Sequence, residues 1–323
     1  MTESGRRRLP GRLWISDTVA SALPKIQRMA VKKTQEWLDD GHTPAQLRAE
    51  LASGGLVRLR RGVVMDADEP GPLELHRRRL IAARGVVGPS TYFSHTSAAV
   101  IHGLPLLTRR LSEVIAVRTG GGHGSINPTL HARRASLATE DVSEVDGLPV
   151  TSLARTVADL VRALPFPEAV VVADAGLAKG LDRGELLERT AKGRGCRMAA
   201  RALLFADPRS ERAGESLSRV RIHQLGLPAP DLQHSLYDAR GRFLGRTDFW
   251  WEEFSLAGEF DGRTKYADRL KPGQSPADAI MDEKFRERGI FGAGTFVVRW
   301  YWADLWKPGL DVLIRQAMAW RSH

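Results

Sequence analysis

The 323-residue sequence predicts an α+β, mixed α/β multidomain chain, and three observations predict it. The length suits two or three domains better than one. Capped amphipathic segments alternate with short branched and aromatic runs along the chain. The last third reads as helix, three strands, helix, strand. We expect a basic tail over 1–23, a winged helix-turn-helix over 24–72, a middle α/β scaffold over 73–205, and an α-β-β-β-α-β core over 206–323.

Composition bounds what such a chain does. Hydrophobic residues make up 42% and charged residues 27%, a globular balance with ample material for a core. The net charge of +10 implies polyanion partners, and on an arginine-rich chain nucleic acid before membrane. A single cysteine, Cys196, excludes a disulfide framework and argues against a cysteine zinc site. A reducing, cytoplasmic home is expected. No apolar stretch approaches about 18 residues, and none follows the N-terminal charges, so export and membrane spanning are not expected.

Taken in order, the tail places Arg6, Arg7, Arg8 and Arg12 where they either lie along phosphates or form a solvated terminus. PKIQRMAVKKTQEWLDDG reads as an amphipathic helix with Ile26, Met29, Ala30 and Trp37 near one face. Thr43-Pro44-Ala45-Gln46 is a capping box opening a second helix, which Gly54-Gly55 ends. In LVRLRRGVV, Val57 and Leu59 alternate with Arg58 and Arg60 before a turn at Arg61-Gly62. Two helices and a hairpin with an arginine-rich tip form the winged helix-turn-helix layout, whose wing contacts the DNA backbone. Arg58, Arg60 and Arg61 are the expected phosphate contacts.

The middle segment carries His95 and His102, neither with a second ligand at metal spacing, so both are expected to be packed and hydrogen-bonded. GGGHG lacks the ending of a phosphate-binding P-loop and reads as a loop. In the last third, ERAGESLSRVRIHQLGLP, which contains Glu215, reads as a helix ending at Gly226-Leu227-Pro228, and Asp238 to Gly241 make a turn. From Gly245 to Tyr266, apolar Phe249, Trp251, Leu256 and Phe260 interleave with charged Arg246, Asp248, Glu259 and Asp261, the pattern of a half-buried hairpin. A turn at Glu253-Phe254 sets Trp251 opposite Leu256, Phe249 opposite Gly258, and Asp248 opposite Glu259. Opposed carboxylates about 5 Å apart destabilise a sheet unless a cation joins them, and Mg²⁺ is suited to oxygen ligands. A displaced turn would instead give each carboxylate its own arginine, such as Arg246 or Arg263. Ser275-Pro276 opens a second helix, expected to stop at Gly289, and TFVVRWYW is a buried strand.

Two resemblances rest on these segments. RLRRGVV, followed by SHTSAAVIHGLP and VTSLARTVADL, resembles the architecture of AbiEi-type antitoxins, the transcriptional autoregulators of type IV toxin-antitoxin pairs. It implies DNA and a cognate toxin as partners. From Glu215 to Leu305, the D…ExDG pattern resembles the PD-(D/E)XK nuclease superfamily, in particular domains related to the very short patch repair endonuclease. That resemblance implies a restriction-endonuclease-like fold and hydrolysis of phosphodiester bonds with Mg²⁺ or Mn²⁺. Asp248 and Glu259 are then the metal-binding and catalytic acids, with Glu215 and Asp261 as further candidate ligands. Asp261 stands where the superfamily pattern has lysine, so Lys265, or Lys284 on the second core helix, would supply the catalytic cation. The alternative it leaves is a non-catalytic regulator that kept the fold and lost the chemistry.

Overall fold

The computed structural model describes residues 31–67, 71–85, 87–107, 111–120, 126–127, 130–262 and 294–319, with 275, 278, 281, 288–290 and 292 between the last two stretches. Among these residues the chain is a mixed α/β assembly of three sheets with helices packed between and around them.

The first sheet has the order β1-β3-β2 from Val31–Lys33, Leu56–Arg60 and Val63–Asp66. Between β1 and β2 lie α1 (Thr34–Asp39) and α2 (Pro44–Ser53). The capping box forms as expected: Thr43 Oγ1 accepts the Gln46 N–H at 3.2 Å, and the Gln46 side chain accepts the Thr43 N–H at 2.8 Å. Gly54 ends α2 in the left-handed region. Of the expected first helix, 24–30 lie outside the described residues, and Val31–Lys33 are a strand antiparallel to β3. A three-residue run gains more from ladder pairing than from its helical periodicity, so tertiary context overrides the pattern. The alternation in β2 also differs: Arg58 faces Val64 and Arg60 faces Val63, leaving Leu59 as a bulge. Leu56 and Leu59 are buried while Val57 is exposed.

One face of this sheet packs Leu56 and Val64 against Trp37 and Leu47. The other packs Leu59, Val63 and Met65 against Ala82 of α3 (Pro72–Arg84). Leu80 and Ala83 of α3 enter the next core, so this helix is shared.

The middle sheet, in the order β6-β7-β5-β4-β9-β8, comprises β4 (Thr91–Phe93), β5 (Val114–Arg118), β6 (Ile126–Asn127), β7 (Leu130–Arg134), β8 (Val142–Val145) and β9 (Leu148–Thr151). With α4 (His95–Ile101), α3 covers Phe93, Val114 and Val150. Four helices follow: α5 (Leu153–Ala163), α6 (Phe166–Ala178), α7 (Arg183–Thr190) and α8 (Cys196–Phe205), packed around Val157, Val170, Leu186 and Leu203. His102 Nε2–H donates to the Thr151 carbonyl at 2.7 Å, and His95 Nδ1 lies 3.1 Å from Ser94 Oγ, the packed state expected of both. Apart from Gly120, GGGHG lies outside the described residues.

The last unit is α9 (Ala213–Gln224) on a sheet β10-β11-β12-β13 made of Asp231–Tyr237, Phe243–Trp251, Leu256–Asp261 and Phe296–Tyr301. The first three strands are an antiparallel meander, and β13 is parallel to β12. A parallel neighbour requires a crossover. In that crossover, Ser275 Oγ accepts the Asp278 N–H at 3.2 Å, as the expected cap does. Residues 288–290 and 292 are helical, so helix is present beyond the stop expected at Gly289. Ile290 is buried against Leu236 and Ala257, and that packing outweighs the propensity of one glycine.

Leu217 and Ile222 of α9 pack on Phe249, Leu256, Phe260 and Trp300. Gly214 permits the close approach, since a Cβ there would stand 1.9 Å from the Phe260 ring. Val220 of the same helix joins the α5–α8 core. Thus α9 fastens the last sheet to the middle unit.

Candidate functional site

The hairpin closes through a 3-10 turn at Glu252–Phe254, and Ser255 follows at φ 41°. Trp251 faces Leu256 and Phe249 faces Gly258, the register expected from the sequence. Asp248 and Glu259 come next along it. Asp248 Oδ2 accepts the Phe260 N–H at 2.9 Å. Glu259 lies beside Arg299 in the parallel ladder, and its Oε2 accepts Arg299 Nε–H at 2.7 Å. So Glu259 has an arginine, but from β13. Arg246 pairs with Glu211 at 2.6 Å, and Arg263 lies outside the described residues.

Glu215 reaches the site from the first turn of α9. It is 5% exposed, and its Oε2 accepts the Glu211 N–H and a Gln233 side-chain N–H, both at 2.9 Å. Burial, and after it the charge of Asp248, push its carboxyl up to about 8. Asp248 is also raised, first by burial and further by Glu259, against the Phe260 N–H that favours its charged form. The two acids share one field. Among the described residues neither is bonded by an ammonium or guanidinium; exposed Arg212 acts on both through its charge alone.

Gln233 is a contributor that the sequence did not reveal. Its φ is 54° inside β10, where a side chain bears strain of about 1–3 kcal/mol. Leu232 enters the α9-facing core while Leu236 joins Ala257 on the other side, so strict alternation breaks across this position. DLQHSLY looks like ordinary strand, and nothing in it marks the kink. Trp250, two residues after Asp248 on β11, is half-buried and stacks on His234 with centroids 5.2 Å apart. Asp261 is half-buried, two residues beyond Glu259 and opposite Tyr301. Lys265 and Lys284 lie outside the described residues.

Among the described residues, no three His, Cys, Asp or Glu side chains gather into a metal-holding group. A smaller donor set still suits Mg²⁺, which is bound through one or two carboxylates and completes its shell with water and substrate phosphate. Glu215 and Asp248 are oxygen donors whose raised pKa values a cation would relieve. Glu259 joins them if it leaves Arg299.

On the wing, Arg58 and Arg61 are exposed, as is Arg48 on α2. Arg60 is not available in the same way. Its Nε donates to the Ala82 carbonyl at 2.5 Å and its Nη1 to the Arg61 carbonyl at 2.9 Å, which ties the wing to α3. Arg7 and Arg8 lie outside the described residues.

No family model matches the chain. Two Mycobacterium tuberculosis proteins, described as Uncharacterized protein MT2308 and Uncharacterized protein Rv2248, are each 29% identical over 268 residues, covering 78% of this chain and 95% of their own. Among solved structures, the crystal structure of RV2827C protein from Mycobacterium tuberculosis aligns with a TM-score of 0.37 and 15% identity, over 72% of this chain and 90% of that one. The similarity to the first two proteins thus extends well beyond the carboxylate site to most of the chain.

Proposed function

We propose that this chain is a DNA-binding protein whose C-terminal domain is a metal-dependent endonuclease of the PD-(D/E)XK kind. The observation that carries this reading is the pair Glu215 and Asp248, two buried acids in one field with no cation bonded to them among the described residues. Buried acids raised in such a setting mark functional sites more than structural ones. The order of α9, β10, β11, β12 and β13 supports it, because Glu215, Asp248 and Glu259 stand on α9, β11 and β12 of one core.

When bound, Mg²⁺ or Mn²⁺ would supply the Lewis acidity that polarises the phosphate. Glu215 and Asp248 would hold it, and the Phe260 N–H fixes one Asp248 oxygen so that the other points consistently. Gln233 fixes Glu215 in the same manner. Lys265 or Lys284 would orient the attacking water. At the other end, β1, α1, α2 and the β2–β3 hairpin follow the winged-helix order, with α2 for the major groove and Arg58 and Arg61 for phosphates.

A second reading is favoured by one contact. Arg299 neutralises Glu259, and Asp261 holds the lysine position, as in a domain that keeps its packing without catalysis. The chain is then a transcriptional autoregulator with a cognate toxin as partner. Incubating supercoiled and linear duplex with Mn²⁺ separates the two: cleavage lost in Asp248→Asn supports the enzyme, and DNA binding without cleavage supports the regulator. DNA binding itself predicts a steep salt dependence. Replacing Arg58 and Arg61 by Ala flattens the slope by about two units, at about 0.9 per phosphate. Arg60→Ala lowers stability instead, and a full unit of slope lost there would reverse this assignment.

A further inference from the structure

The lysine position two residues after Glu259 holds an acid, and a guanidinium stands beside Glu259 on the next strand. We propose that Arg299 is the phosphate-binding cation of the site and that it exchanges Glu259 for a DNA phosphate when metal and substrate bind. This rests on the endonuclease reading. Glu259 and Arg299 are direct neighbours in the β12–β13 ladder, so the charge is delivered at the level of the acid by backbone pairing, without a long flexible reach. The Arg299 side chain is 30% exposed while Glu259 is 15% exposed, so part of the guanidinium side faces solvent. The contact to Glu259 uses Nε, and the planar fork of a guanidinium matches the geometry of a phosphate. Glu215, Asp248, Glu259 and Asp261 are acidic. Stabilising the charge that develops on a transferring phosphoryl group requires a preorganised cation among them.

The exchange links metal and DNA. While Arg299 holds Glu259, the site has two carboxylates for a metal; once a phosphate takes the guanidinium, Glu259 becomes the third. Metal affinity therefore rises in the presence of duplex, and duplex affinity rises equally with metal.

The test uses the full chain as wild type, Arg299→Met and Arg299→Lys, with three readouts: Mn²⁺ affinity without DNA, duplex affinity in Ca²⁺, and single-turnover cleavage in Mn²⁺. In Arg299→Met, cleavage falls by about 10²–10³, the loss typical of removing one such donor. Its Mn²⁺ affinity without DNA rises, because Glu259 is released, and its duplex affinity in Ca²⁺ falls. Arg299→Lys keeps the ion pair but not the fork, so it folds as wild type and is slowed on the order of tenfold. It decides the question if the Met variant does not fold. Wild-type cleavage and unchanged Mn²⁺ affinity in both variants would overturn the role of Arg299 and leave the endonuclease standing. A wild-type chain that does not cleave, with or without Mn²⁺ bound, ends the endonuclease reading and this assignment with it.

Discussion

Two buried acids meet α9, and they are held in opposite ways. Asp174 of α6 is 1% exposed and Glu215 of α9 is 5% exposed. Burial raises both, Asp174 to about 6 and Glu215 to about 8. Asp174 nevertheless has a counter-charge: Arg219 Nη1 donates to Oδ2 at 3.2 Å and the Asp207 N–H to Oδ1 at 2.8 Å. Arg219 is fully engaged in turn, with Ser210 Oγ at 2.9 Å and the Phe205 carbonyl at 2.6 Å. Among the described residues, Glu215, one turn earlier on the same helix, receives only a backbone N–H and an amide. A buried acid with an arginine is a fastening between two cores. A buried acid with none among the described residues, next to another acid, is where the proposed cation would bind.

The comparison breaks most visibly at the fastening. Asp174→Ala leaves the Arg219 guanidinium buried without its counter-charge, and removing one member of such a pair costs about 3–5 kcal/mol. Urea unfolding should show that loss for the α9 junction, with DNA affinity per folded molecule unchanged. A loss under about 1 kcal/mol would mean that solvent reaches Arg219 and that the pair is not a fastening.

At the site the sign reverses. Glu215 is raised in the folded chain, so its contribution to stability is full below the ordinary value of 4.5 and is lost as pH climbs to about 8. Glu215→Gln removes that dependence, and in chelator the variant should be more stable than wild type by about 3 kcal/mol at pH 7, at 1.36 kcal/mol per pH unit. Mg²⁺ should then stabilise the wild type and not the variant, by RT ln(1 + [L]/Kd). Equal pH profiles for the two proteins in chelator would remove Glu215 from the site.

The difference between these two acids was only half legible in the sequence. The hairpin register was, because turn residues and period-2 alternation specify which residues oppose each other across a short connection. The α2 capping box and the start of α9 were legible for the same local reason. Arg299 as partner of Glu259 was not, since it stands 40 residues on and arrives through a parallel crossover. Arg219 with Asp174 spans 45 residues and two helices. Neither pairing leaves a periodic trace. The strand at Val31–Lys33, the bulge at Leu59 and the commitment of Arg60 to Ala82 were hidden likewise, because each depends on what α3 and β3 bring from elsewhere.

The smallest effect is the sharpest on whether Glu215 and Asp248 make one site. Asp248→Asn keeps the shape and an oxygen for the Phe260 N–H, but removes a charge that ranks second among the causes raising Glu215. Relief of repulsion between neighbouring like charges on a sheet is worth about 0.2–1 kcal/mol, and here the Arg299 pairing of Glu259 holds it toward the lower end. The more telling readout is the pH window. With Asp248 neutral, the upper limit of the Glu215 titration should move down from about 8, while the lower limit, set by the unfolded chain, stays put. Stability in chelator, followed from pH 5 to pH 9 for both proteins, measures this directly. A downward shift of the upper limit places both carboxylates in one field that a single cation can neutralise. An upper limit that does not move would mean that Glu215 is raised by burial alone, and a shared metal at these two residues would lose its physical basis.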